Sequence, residues 1–131
     1  MSPEKLLFRH PLENGLTLEF WDLSRPMLGD RWLVTLEIRL SVPIGPATLP
    51  PDLLTQEATI IRAMGPGVVF SQRDERHFIA AQEYDATLRE MATRFLALAP
   101  AYFGHPEFAG RLIRKRYAEY QEKQRRASPK S

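Results

Sequence analysis

Between positions 32 and 42 every second residue is apolar: Trp32, Val34, Leu36, Ile38, Leu40 and Val42. Leu33, Thr35, Glu37, Arg39 and Ser41 lie between them. Side chains on a strand alternate between faces, so this is the pattern of a half-buried strand. A slip of one residue would carry the whole apolar set into water, which fixes the register. Leu16, Leu18 and Phe20 alternate with Thr17, Glu19 and Trp21 in the same way. Full burial of these side chains at ~1.5–3 kcal/mol each gives very roughly 13–27 kcal/mol of drive to cover that sheet face. Leu36 is therefore expected beneath helices. Glu37, on the other face, is expected in solvent, with Glu37→Ala shifting stability by no more than about 0.5 kcal/mol. Trp21 and Leu33 fall on that polar face, either as isolated apolar residues or as part of a contact patch.

Residues 5–10 form a short apolar-rich strand, and Glu13-Asn14-Gly15 follows it. Asn-Gly suits a type I′ hairpin turn into residues 16–21. Pro26 and Gly29 make residues 24–30 a loop. Pro43, Pro46, Pro50 and Pro51 end strand pairing and make a stiff connector, because proline lacks the ladder donor. Residues 52–64 carry an apolar helical stripe that Gly65-Pro66 terminates. A strand starts at Val68 and continues to about Ala80, with a hairpin near Asp74-Glu75 or a helix capped by Ser71 as alternatives. Leu88, Met91, Ala92, Phe95 and Leu98 define a helix over 84–99, stopped by Pro100. Pro106 opens a last helix that runs to about 126.

The order β-β-β-α-β-α-α, with strands early and helices late, gives an α+β class: an antiparallel sheet with helices covering one face. A chain of 131 residues fits one domain, taken as 1–126, with a frayed basic tail at 127–131. There is no cysteine, which excludes disulfides, thiol chemistry and cysteine-bound zinc. No secretory leader and no membrane span are expected, so a cytoplasmic setting fits.

The chemistry on offer is sparse. Phosphate-loop, dinucleotide, nucleophile-elbow and zincin spacings are all missing, so no catalytic residue and no cofactor is assigned. His10, His77 and His105 share no face, and with Pro11 and Pro106 beside two of them they suit turns and caps rather than a metal. Asp74 and Glu75, adjacent on a strand, point to opposite faces and cannot share a substrate. Asp22-Leu23-Ser24 with Gly29 resembles part of the D-x-S-x-x-G signature of PilZ domains. The glycine comes too late and no R-x-x-x-R precedes it, so no cyclic-dinucleotide site is inferred.

Charge is unevenly distributed. Residues 111–131 carry a balance of +6 and the remainder −4. Arg111, Arg114, Lys115 and Arg116, with Tyr117 and Tyr120 interleaved, could meet phosphates and stack on bases. The competing reading is a solvated helix with i,i+4 pairs. The first functional reading is a small non-enzymatic binding domain whose partner is another protein or a second copy. The alternative is a nucleic-acid or anionic-partner accessory protein using the basic helix. A third is an enzyme built around Arg73, Arg76 and His77.

Overall fold

The structure, a computed structural model, describes residues 4–127. It contains five strands in one antiparallel sheet and three helices, the α+β class expected. The strands are β1 (Lys5–Pro11), β2 (Thr17–Asp22), β3 (Arg25–Pro26), β4 (Arg31–Pro43) and β5 (Gly67–Ala80). The helices are α1 (Glu57–Met64), α2 (Tyr84–Phe103) and α3 (Phe108–Ala127). The sheet runs β1-β2-β4-β3, with β5 on the other side of β4. Two compact units divide the chain: residues up to Leu40 with Phe70–Gly104, and Ser41–Val69 with the segment from His105 onward.

In the first unit, β2 pairs β4 with Phe20 opposite Ile38 and Trp21 opposite Glu37. Leu18, Phe20, Val34, Leu36, Ile38 and Leu40 are buried, as the alternation requires. Helix α2 covers this face. Its first residue, Tyr84, donates to Asp22 at the end of β2, and its last, Phe103, accepts from Asn14 in the β1–β2 turn. Because the helix start meets the end of β2 and the helix end meets the turn before it, α2 runs antiparallel to β2.

Several local expectations are corrected. The β1–β2 turn is not type I′, because Asn14 does not have positive φ; Gly15 alone takes the left-handed conformation, at +89°. Leu12 and Leu16 pair across it, and the Gly15 N–H returns to the Leu12 carbonyl, a three-residue loop with a glycine bulge. Inside the expected 24–30 loop, Arg25 and Pro26 form β3 against Leu33 and Trp32. The helix expected over 52–64 starts with 3-10 turns at Pro51–Gln56 and becomes α-helical only at Glu57. Pro100 does not stop α2, which gains another turn closed by Gly104 N–H on the Pro100 carbonyl. The buried Phe103 ring, near Phe95 and Phe70, outweighs the backbone bond that proline removes. Residues 67–80 form one strand, neither a hairpin nor a helix.

In the second unit, Val42, Ile44, Leu49, Leu53, Ile60, Leu112 and Ile113 are buried, and α1 packs on α3. Helix α3 reaches Ala127; the rest of the expected 127–131 tail lies outside the described residues.

Candidate functional site

The largest departure from expectation lies on the face of β4 that α2 does not cover. Glu37 is only 7% exposed, and Leu33 and Thr35 are buried beside it. The carboxylate accepts from Arg73 Nε on β5 at 2.8 Å and from Arg39 on its own strand. Arg39 also reaches Glu4 and lies over the Trp21 ring at 4.4 Å, while the Trp21 indole donates to Glu19. Arginine and tryptophan side chains thus roof Glu37 on the face that α2 does not cover. Burial pushes the Glu37 carboxyl up, but hydrogen bonds and charge from Arg73 and Arg39 outweigh it and hold the group below its ordinary value. The Glu37 carboxylate is thus engaged on both sides, by Arg73 and by Arg39. Alternation of side chains hides such a residue in the sequence, because a strand pattern says nothing about which cations will close over it.

Asp22 and Ser24, both buried, form a second polar knot. The Ser24 N–H donates to Asp22 Oδ1 at 2.9 Å, the Thr35 N–H donates to Ser24 Oγ at 2.9 Å, and the Tyr84 hydroxyl donates to Asp22 Oδ2. Burial, then the Asp22 contact, push the Tyr84 phenol up to about 12. The Asp22-Leu23-Ser24 sequence therefore turns the chain out of β2 and anchors α2. Among the described residues no buried side-chain polar atom lacks a partner.

The second strand of interest is β5. With 14 residues it exceeds the ~5–6 typical of strands, and it lies at an edge of the sheet, bonded to β4 on one side. Residues 71–75 are exposed. As expected from their adjacency, Asp74 and Glu75 diverge: Glu75 lies by Thr35, whereas Asp74 lines a cleft of about 270 Å³ on the α2 side. Leu36, Ile38, Met91 and Phe95 floor that cleft, and Gln72 and Arg94 stand with Asp74 at its rim. Arg73 also lines it although its guanidinium is committed to Glu37 across the sheet, so the cleft extends to the β5 backbone. Arg73 and His77 fall on one face and Arg76 on the other, where it bonds Asp74 at 2.6 Å. The three side chains therefore do not share one face of β5.

The basic residues of α3 are placed in the second unit. Arg114 makes a two-pronged pair with Asp52 at 2.6 and 3.0 Å, holding that carboxyl below its ordinary value. Arg111 pairs with Glu107 at 3.3 Å, and Arg116 donates to the Val69 carbonyl at 3.1 Å. Lys115 is exposed. Arg111 and Arg114 border a groove of about 430 Å³ against the proline-rich segment. Gly110 permits the close approach there, since a Cβ would lie 3.3 Å from Pro50 Cγ and from the Thr48 carbonyl. Tyr117 is buried, so it belongs to the apolar side of α3 rather than to a stacking platform.

Among the described residues no group of three histidine or acidic side chains is placed to hold a metal, and His105 Nδ1 accepts from the Glu107 N–H in a local turn. No described helix is long and apolar enough to cross a membrane. Comparison with known proteins finds no protein family, no curated protein and no solved structure that the chain matches.

Proposed function

We propose that the chain is a small non-catalytic binding module whose contact element is the outer edge of β5. One observation carries this reading: a 14-residue strand whose outer side faces no other strand of the sheet. Such an edge presents a row of main-chain donors and acceptors able to take an extended segment as an additional strand. Charged residues on β5 keep this edge from pairing indiscriminately. On α3, the candidate binding residue Arg114 is held by Asp52. The added strand comes from a partner protein or from a second copy of the chain. The pairing of Arg111, Arg114 and Arg116 lowers the support for a nucleic-acid partner on α3.

Hydrogen exchange in the presence of short extended peptides tests the reading. The expected result is new protection concentrated in residues 71–79. Protection confined to α3, or appearing with oligonucleotides and not with peptides, would transfer the function to the basic helix. Light scattering across a concentration series distinguishes the self-pairing case.

A further inference from the structure

An added strand places alternate side chains on one face of the sheet. On the α2 side those side chains would lie beside Gln72 and Asp74, at the mouth of the 270 Å³ cleft. Its floor is hydrocarbon from Leu36, Ile38, Met91 and Phe95. A polar group seated on that floor would lose water and find partners only at the rim, whereas an apolar one loses nothing. At the rim, Arg94 is 69% exposed and its Glu90 partner is 3.7 Å away, beyond hydrogen-bond distance. Arg76 and Arg73 are held more tightly, by Asp74 at 2.6 Å and Glu37 at 2.8 Å. Arg94 is thus the rim cation best able to turn to an incoming carboxylate.

We infer that the cleft receives one large apolar side chain, of leucine or phenylalanine size, from an extended peptide added along β5, while an aspartate or glutamate two residues away meets Arg94. This rests on the edge reading of β5 and names its partner. Main-chain bonding to β5 supplies affinity for any extended segment; the cleft and Arg94 supply the choice among segments. The recognised pattern is an apolar residue and an acidic residue separated by one position, the shortest spacing that puts both on the same face.

The test uses the whole chain, isotope-labelled, and a short threonine-rich peptide carrying one leucine and one aspartate two positions on. Amide shifts are expected along residues 71–79 and at Met91, Arg94 and Phe95. Serine in place of leucine should weaken binding about tenfold, as loss of a central apolar anchor does. Lysine in place of aspartate should weaken it about fivefold at low salt, and Arg94→Glu should invert the ranking of these two peptides. Gln72→Trp, at an exposed position on the rim, should reduce binding of the leucine peptide and leave the serine peptide unchanged. Leucine and serine peptides binding β5 equally would overturn the inference and leave the edge reading standing. An absence of β5 shifts with every peptide would overturn both. Should Arg94→Glu alter the fold, the aspartate-to-lysine exchange in the peptide decides the charge contact on the native protein: equal affinities would remove it.

Discussion

Leu36 and Glu37 are neighbours on β4, both almost wholly buried, at 2% and 7% exposure, yet their surroundings are opposite in kind. Leu36 lies on the face that α2 covers, among hydrocarbon. Glu37 lies on the opposite face, closed over by Arg39 and Arg73. A hydrocarbon face is buried by any apolar surface of the right shape, so the covering helix is interchangeable in principle. A carboxylate is buried only by cations at defined positions, since an unpaired charge there loses its hydration without compensation. One strand thus meets two burial problems, the first set by volume and the second by pairing.

The largest effect expected in this comparison is at Leu36. Leu36→Ala should lower unfolding free energy by ~2–5 kcal/mol, the range for a truncated core leucine, as measured in urea melts. A shift below 1 kcal/mol by the same measurement, on the order of a surface change, would mean α2 does not seal this face. Glu37→Ala should come next, at about 1–3 kcal/mol, because it leaves Arg39 and Arg73 without their shared acceptor while both remain partly in water. This replaces the near-neutral effect that strand alternation implies. Adding Arg73→Ala to Glu37→Ala should cost less than the separate effects together, and strict additivity would show that the two side chains are not coupled.

A smaller effect is the pH dependence of the two polar sites. The Glu37 carboxyl titrates lower in the folded chain than its ordinary value of 4.5, so its contribution is complete above that value and is lost as pH falls through the lower folded one. The stability gap between wild type and Glu37→Gln should therefore narrow in acid melts. Tyr84 has the opposite sign. Its folded value is raised from 10.0 to about 12, so its contribution is present below pH 10 and is lost as pH rises toward 12. Denaturation midpoints followed across that alkaline window should fall more steeply for wild type than for Tyr84→Phe. The smallest effect belongs to Ser41, an exposed residue at the far end of the Glu37 row. Ser41→Ala should change stability by less than about 0.5 kcal/mol in the same urea melts.

The apolar side of this architecture was readable from spacing alone, because Leu18, Phe20 and the alternate residues of β4 state their face by period. The β5 strand was favoured over a hairpin or a helix by the β-branched and aromatic residues that bracket its charged centre, and the divergence of Asp74 from Glu75 followed from their adjacency on it. The burial of Glu37 was not readable, since one of the two arginines that close over it, Arg73, is 36 positions away. Pro100 misled through a correct local rule, overridden by the packing of Phe103. The cleft beside β5 was hidden too: Gln72 and Asp74 are visible as strand residues, but only the placement of α2 brings Met91, Arg94 and Phe95 beside them. The basic residues of α3 were conspicuous by composition, yet nothing local indicated that Asp52 would take Arg114.

The two fastenings of α2, Tyr84 to Asp22 and Phe103 to Asn14, also constrain the route by which the chain acquires its structure. The hairpin and the helix involve neighbouring residues and can form on microsecond timescales by themselves. Joining them closes loops of 62 and 89 residues. Loop entropy grows only logarithmically, so these closures differ by about 0.3 kcal/mol, too little to impose an order. Either end of the helix can dock first, and the second fastening then follows over the length of a helix already in place. The first long-range encounter therefore carries nearly the whole loop-closure cost, and the second fastening adds little to it.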